Sequence, residues 1–265
     1  MKKFIKRVLA KFKLYLKHSR MPGFRLLGWE LYRDESNAAA LRPLGESREF
    51  LAYLRNRGFQ PQGIIDVGAN RGGWATFARE VFPAAAIILI EPQDEMEKPL
   101  EQVSAKLGNC IYVKAGAGRE NGELTQTIFD DLAGSSFLPA IDKEKVAAHK
   151  QRQTTIVTID HLVTDLHPSF VPDLVKLDIQ GFELEALRGA SALYGRTQMF
   201  IVEISLYRFM PDMPLARDII MFMGDRGYEL YDVVGFLHRP SDNALGQLDL
   251  VFVQAEGEFR KSAKW

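Results

Sequence analysis

The chain has 265 residues, of which 46% are hydrophobic and 26% are charged, and its 34 basic residues balance its 34 acidic residues. This composition is typical of a globular protein with a sizeable core, and it allows one α/β domain with extensions. The single cysteine, Cys110, excludes an intramolecular disulfide and gives no sign of an oxidising compartment.

The neutral balance hides a basic N-terminal segment. Residues 1–29 contain nine Lys or Arg and no acid, so 25 basic and 34 acidic residues remain in the rest of the chain. One helical face of this segment carries apolar residues at Ile5, Val8, Leu9, Phe12 and Leu16. The pattern predicts either peripheral contact of residues 1–20 with an anionic membrane or packing of the helix on the domain.

Other uses of the basic segment are not expected. No lysine-free apolar run is long enough for a signal-peptide core or a membrane span. No reading element or aromatic platform accompanies the charge, so we expect no nucleic-acid partner. The sequence therefore predicts a cytoplasmic protein, with contact at the inner face of the membrane as the alternative to free solution.

The remaining pattern predicts a domain over residues 44–258, after an extension and unpatterned connector over 1–43 and before a tail over 259–265. Ser47 is expected to cap a first helix, which ends at Gly58. Strands are predicted at 64–67, 86–90, 110–113, 175–179, 199–204, 228–234 and 248–253. Helices are predicted at 74–82, 96–107, 183–193 and 215–223. This alternation predicts a seven-stranded, mostly parallel sheet with helices on both faces.

The polar stretch over residues 120–153 interrupts this alternation. A short strand is predicted at Leu124–Phe129, and the rest of the stretch is predicted to be a loop or a mobile cover. A further short strand or edge is predicted at Ile156–Asp160.

The glycine turn after the first buried strand of the domain is the main chemical signal. Gly68, Gly72 and Gly73 allow a tight turn and close approach of backbone N–H groups to a ligand. The spacing is not the G-x-G-x-x-G of dinucleotide folds, and the carboxylate of Asp66 would repel a pyrophosphate. The turn resembles the first motif of S-adenosylmethionine-dependent methyltransferases, whose cofactor is cationic. The cofactor-binding candidates in this turn are Asp66, Gly68, Ala69, Asn70 and Gly72.

Two further sites are expected to complete a nucleoside pocket. Glu91 ends the next strand, where a carboxylate can accept both hydroxyls of a ribose. Gly116 and Gly118 follow the third strand and leave room for a flat adenine ring beside the backbone.

A second motif begins at Val175 and places Asp178 at a strand end, facing the cofactor crevice. Together with the glycine turn, the run K-L-D-I-Q-G-F-E-L-E-A-L-R-G-A at 176–190 resembles the FkbM family of methyltransferases. Further matches are Glu91-Pro92, Thr158-Ile159-Asp160, Val202-Glu203-Ile204 and Asp249-Leu250-Val251-Phe252. The resemblance implies a Rossmann-like class I methyltransferase fold, S-adenosyl-L-methionine as cofactor and O-methylation of sugar, glycan or natural-product hydroxyls.

Asp178 is the first candidate for orienting the acceptor or accepting its proton, followed by Glu183 and Glu203. His161 and His238 are further candidate bases. The family usually has a glutamate where this chain has Gln180, which argues against a metal there. A metal-assisted alternative would use Asp178 with other oxygen ligands, but no tight ligand cluster supports it, so no metal site is predicted.

Two other functions remain as alternatives. One is a non-catalytic nucleotide-binding or membrane-recruited interaction module, which would need no acceptor pocket. The other is a nicotinamide oxidoreductase, which the missing G-x-G-x-x-G disfavours.

Overall fold

The computed structural model describes residues 23–26, 29–32, 42–130, 132–138 and 150–262, with only the backbone described in the first two ranges. The chain divides into two compact units, Met1–Arg42 and Pro43–Trp265. In the first unit, β1 (Gly23–Leu26) and β2 (Trp29–Tyr32) pair antiparallel. The sequence predicted a poorly patterned connector here and did not identify these two strands, because four-residue strands are too short to show a clear period. The helix predicted over residues 1–20 lies outside the described residues.

The second unit alternates strands and helices. Its strands are β3 (Gly63–Val67), β4 (Ala86–Ile90), β5 (Cys110–Val113), β6 (Gly116–Ala117), β7 (Gly122–Ile128), β8 (Lys150–Val157), β9 (Pro172–Leu177), β10 (Met199–Ser205), β11 (Tyr228–His238) and β12 (Leu245–Gln254). Its α-helices are α1 (Ser47–Asn56), α2 (Gly73–Val81), α3 (Asp94–Leu107), α4 (Ile159–His161), α5 (Glu183–Arg188) and α6 (Ala216–Gly224). Within the described ranges, no helix has the length and apolar character that a membrane crossing requires.

Seven strands form the main sheet in the order β11-β12-β10-β9-β3-β4-β5. The five strands from β10 to β5 are parallel, and β12 runs antiparallel to both β10 and β11. The predicted seven-stranded, mostly parallel sheet is confirmed. From β3 the chain first adds β4 and β5 on one side and later adds β9 and β10 on the other. This reversal creates a crevice at the carboxyl ends of β3, β4 and β9, where ligands of such sheets bind.

Helices cover both faces of this sheet, as predicted. Successive residues of a strand point to opposite faces, so Ile64 and Ile65 enter different cores. Ile64, Ile87 and Leu174 pack in the core with α1, α2 and α3. Ile65, Ile88 and Val175 pack in the core with α4, α5 and α6. Burial on both faces explains why these strands are continuous apolar runs in the sequence.

Two helix ends differ from the prediction. Ser47 does not cap α1 but is its first residue, and its hydroxyl donates to the carbonyl oxygen of Val234 at 3.1 Å. A long-range contact thus takes the hydroxyl that local pattern assigned to capping. The helix predicted over 183–193 ends at Arg188 and is followed by a 3₁₀ turn at Ser191–Leu193. The chain turns there at Gly189, where a Cβ would lie 2.1 Å from the carbonyl oxygen of Gly118.

The polar stretch contains more strand than predicted. β7 pairs antiparallel with β8, and β6 pairs parallel with β8, forming a three-stranded sheet. The predicted strand at Ile156–Asp160 instead lies at Lys150–Val157, while residues 139–149 lie outside the described ranges. The first four residues of β7 are exposed, so few apolar residues mark this ribbon in the sequence.

Candidate active site

The turn between β3 and α2 is shaped by residues with positive φ. Gly68 has φ of +80°, and a Cβ there would lie 1.9 Å from the carbonyl oxygen of Asp178, so only glycine fits. Asn70 also lies in the left-handed region, at φ of +47°. Gly68 and Asn70 line the pocket above the sheet edge, whereas Ala69 does not. Gly72 packs α2 against α3, because a Cβ there would lie 2.8 Å from a methyl carbon of Val103.

Glu91 stands at the end of β4 and lines the same pocket. The backbone N–H of Asn70 donates to one of its carboxylate oxygens at 3.0 Å, and the N–H of Gln93 donates to the other at 3.1 Å. Burial raises the pKa of Glu91 although these two bonds oppose the shift. Each oxygen keeps a second lone pair for a ligand, so this carboxylate is oriented to accept from a ribose diol.

The pocket encloses about 630 Å³, including the part that is open to solvent. Gly116 lines it, but a Cβ there would lie 2.7 Å from the ring of Phe137, which therefore fills the space beside this glycine. Gly118 lines the neighbouring groove instead. The pocket fits the nucleoside part of the cofactor that the resemblance implies. It has glycine backbone on one wall, an oriented carboxylate on another and an aromatic ring as its cover.

A cluster of charged side chains lies at the carboxyl ends of β3 and β9. Asp66 of β3 is opposite Lys176 of β9 in the strand register, on the sheet face covered by α1, α2 and α3. The Lys176 ammonium lies 3.6 Å from an Asp66 oxygen and 3.1 Å from an Asp178 oxygen. Burial raises the pKa of Asp66 to about 6 against the pull of this ammonium. Asp66 is fully buried, its partner is Lys176, and it is not among the residues that line the pocket.

Asp178 and Glu203 share the amide of Gln180, which donates to an oxygen of each at 3.1 Å. Burial raises the pKa of Asp178, but the Lys176 ammonium and hydrogen bonds from its neighbours outweigh burial and leave this pKa below its usual range. Burial, together with the charges of Asp178, Glu183 and Asp249, raises the pKa of Glu203 to about 10. Near neutral pH, Asp178 is therefore ionised and Glu203 is protonated.

The accessible member of this group is Asp178. It lines the pocket, and 35% of its side chain is exposed. An ionised carboxylate in this position can take a proton from an acceptor or orient a donor, whereas the protonated Glu203 is not available as a base.

The other candidate acids and bases lie outside this pocket. The carboxylate of Glu183 accepts the backbone N–H of Ile179 at 2.8 Å and that of Gly181 at 3.2 Å, and burial raises its pKa to about 7. It therefore holds the turn before α5. His161 pairs with Asp165 at 2.7 Å, and neither His161 nor His238 lines the pocket. Among the described residues, no group of three or more His, Cys, Asp or Glu is arranged to hold a metal ion.

The polar stretch was predicted to be a loop or a mobile cover, but sequence reasoning did not identify the residues that line the pocket from this side. Gln93, Gln126, Ser135 and Phe137 all line it. Gln93 follows Glu91 closely and could have been suspected from that position. The other three lie in the polar stretch, where no local signal shows that the chain folds back over the sheet edge.

A second groove adjoins the pocket at Phe137. Its walls combine the apolar side chains of Phe137, Phe182 and Met213 with charged side chains, namely Arg119, Arg188, Arg208, Asp212 and Asp218. Arg119 and Arg188 both pair with Glu185 on one wall. The arrangement provides an apolar surface with charged groups around it beside the pocket that holds Asp178.

Comparison with known proteins agrees with the family that the sequence motifs indicate. The family model described as "Methyltransferase FkbM domain" matches residues 66–230, more than half of the chain. Methyltransferase 1 of Beauveria bassiana (strain ARSEF 2860) is 27% identical over 143 residues, covering 48% of this chain and 57% of that protein. Methyltransferase sdnD of Sordaria araneosa is 27% identical over 154 residues, covering 48% and 59%. The match thus spans less than two thirds of the length of these relatives.

Similar solved structures include 1,6-didemethyltoxoflavin-N1-methyltransferase of Burkholderia thailandensis, with bound 1,6-didemethyltoxoflavin and S-adenosylhomocysteine. That protein is 11% identical, with a TM-score of 0.42 over 96% of this chain and 90% of that chain.

Proposed function

The chain belongs to the FkbM methyltransferase family, and from this we propose that it O-methylates a hydroxyl of a sugar, glycan or related natural product. It is a methyltransferase with S-adenosyl-L-methionine as its cofactor. The cofactor supplies a methyl group bonded to a positively charged sulfur, and the products are a methyl ether and S-adenosylhomocysteine. The observation that supports a hydroxyl as the methyl acceptor is the ionised, partly exposed carboxylate of Asp178 at the pocket.

Asp178 is the base in this proposal. A hydroxyl is a weak nucleophile, and it gains when a carboxylate takes its proton as its oxygen attacks the methyl carbon. The Lys176 ammonium keeps Asp178 ionised, and the Gln180 amide fixes one of its oxygens in place. The rest of the rate acceleration comes from holding the acceptor in line with the methyl group.

The adjoining groove supports a polar acceptor. Phe137 and Phe182 lie with ring centroids 5.4 Å apart and offer an apolar surface for the C–H face of a sugar ring. Asp212 and Asp218 can accept hydrogen bonds from hydroxyls, and Arg208 can donate them. A purely apolar acceptor would leave these charged groups without compensation as it displaced their water.

The test is methyl transfer from a cofactor with a deuterated methyl group. The purified protein is incubated with separate panels of glycans, lipids and small hydroxylated natural products, and mass spectrometry locates the deuterated methyl. We expect the label on a hydroxyl oxygen, as an ether that resists mild alkali. Label that is lost in alkali would indicate a carboxylate ester, and label on nitrogen or carbon would contradict the proposal.

We also propose that residues 1–20 hold the protein at the cytoplasmic face of an anionic membrane. The support is seven Lys or Arg among the first 17 positions, together with the apolar stripe. Each basic residue near an anionic surface contributes about 1 kcal/mol, and the apolar stripe adds burial.

Co-sedimentation with liposomes tests this attachment. We expect the full-length protein to pellet with anionic vesicles in low salt, and a truncated chain that starts at Gly45 to stay in solution. Pelleting should decrease when salt is raised to physiological ionic strength, because screening then limits the attraction between the basic residues and the anionic lipids to about 8 Å. Equal behaviour of the two proteins would contradict the proposal, and a lower melting temperature after truncation would indicate that the segment packs on the domain.

A further inference from the structure

The cover over the pocket is tied to the loop that follows β4. Arg152 of β8 donates to both carboxylate oxygens of Glu95, at 3.0 and 2.7 Å, and Glu95 lies in the first turn of α3. The side-chain amide of Gln93 donates to the carbonyl oxygen of Leu132 at 3.0 Å. These contacts hold the ribbon of β7 and β8, and the segment over 132–138, above the pocket.

Two amide oxygens of this region lack partners. Gln126 is 2% exposed and Gln93 is 5% exposed, and both line the pocket. Within the part of the chain that the structure describes, neither side-chain oxygen accepts a hydrogen bond. A buried acceptor without a donor is costly, so the two oxygens indicate a ligand that brings N–H or O–H groups to this wall.

The clamped ribbon explains why Gln126 faces the pocket. Gln126 lies opposite Arg152 in the strand register, and Arg152 is held by Glu95. Gln93 is oriented independently, because its amide nitrogen donates to the carbonyl oxygen of Leu132, while its side-chain oxygen has no donor among the described residues. Two buried acceptors from different segments thus belong to residues that line the same cavity.

We propose that Gln126 and Gln93 recognise the 6-amino group of the cofactor's adenine. Glu91 orients the ribose two residues before Gln93, so the base extends from there along the wall that carries the glutamines. An amino group has two N–H donors, one for each amide oxygen. A purine with a carbonyl at position 6 would place a third oxygen against them, so these residues make the pocket selective for adenine.

Calorimetry with two probes tests the assignment without relying on turnover. The probes are S-adenosylhomocysteine and its analogue in which hydrogen replaces the 6-amino group of the purine. We expect the wild-type protein to bind S-adenosylhomocysteine about tenfold or more tightly than the analogue, the scale of unmade buried hydrogen bonds. In Gln126→Met, which keeps the shape and removes the oxygen, this ratio should fall clearly but stay above one, because Gln93 still accepts the second N–H.

Two control variants separate recognition from folding. Gln153→Met changes an exposed glutamine of the same ribbon and should keep the wild-type ratio. Glu91→Ala removes the ribose contact, so it should weaken binding of both probes. Because Glu91 also accepts the backbone N–H of Gln93, the unchanged ratio is expected of Gln153→Met and not of this variant. Gln93→Met provides a second, independent reduction of the ratio if Gln126→Met does not fold. No preference in the wild-type protein, or a full preference in Gln126→Met, would mean that these oxygens face water and would overturn the proposal.

Discussion

Asp178→Asn is expected to reduce the rate of methyl transfer by about 10²- to 10⁴-fold, the range that general-base catalysis contributes. Asparagine keeps the size of the side chain and can still accept from the Gln180 amide, but it cannot take a proton. Affinity for S-adenosylhomocysteine should stay within a few-fold of the wild-type value. Single-turnover rates at saturating cofactor, with calorimetric binding of S-adenosylhomocysteine, give both quantities.

Glu203→Gln is the matched control for this prediction. The pKa of Glu203 is raised to about 10, so the residue is already neutral near neutral pH, and glutamine replaces one neutral donor with another. The rate should therefore fall far less than in Asp178→Asn. Equal losses in the two variants would contradict the assignment of the base. A variant of Asp178 that keeps its rate but loses cofactor affinity would make this residue a cofactor ligand.

Lys176→Met is expected to lower the free energy of unfolding by about 3–5 kcal/mol, the usual cost of removing one partner of a buried ion pair. The variant leaves the fully buried Asp66 and the nearby Asp178 without their common counter-charge. Urea denaturation of the wild-type and variant proteins measures the difference, with both transitions followed by circular dichroism.

The stability that Lys176→Met loses should depend on pH. In the wild-type protein, folding raises the pKa of Asp66 from 3.8 to about 6. The folded state therefore binds more protons than the unfolded state between these two pH values. Removing Lys176 raises the folded pKa further. The destabilisation should therefore grow as pH rises above about 6 and shrink at lower pH, where Asp66 is protonated in the folded state.

Two comparisons make the Lys176 prediction specific. Lys114 pairs with Asp94 and Glu97 at the surface, so Lys114→Met should cost about 0–1 kcal/mol. The double variant Asp66→Asn with Lys176→Met should recover part of the stability, because it removes the uncompensated charge as well. A loss for Lys176→Met no larger than that for Lys114→Met would show that the buried pair contributes nothing specific to folding.

Local sequence was sufficient where the signal is continuous along the chain. The runs that form β3, β4 and β9 are buried on both faces, and this burial requires apolar side chains at nearly every position. The turn at Gly68 was evident for a related reason, since its positive φ and its contact with Asp178 tolerate no side chain. Because Glu91 and Asp178 follow their strands directly, their approach to one edge followed from the parallel sheet.

The tertiary structure alone decided which charges meet and which side chains close the pocket. Asp66 and Lys176 are far apart in the chain and become neighbours only because β9 pairs with β3, and that strand order leaves no local trace. Burial and the charged neighbours that β9, β10 and β12 bring together leave Asp178 ionised and Glu203 protonated. Gln126 reaches the pocket only because the Arg152–Glu95 pair holds a polar ribbon over it. The sequence by itself determined the sheet and its glycine turn, because those depend on each residue's own conformation and burial. Strand order and long-range contacts determined the chemistry at the sheet edge, because charge and hydrogen bonding depend on partners that the chain brings together only when it folds.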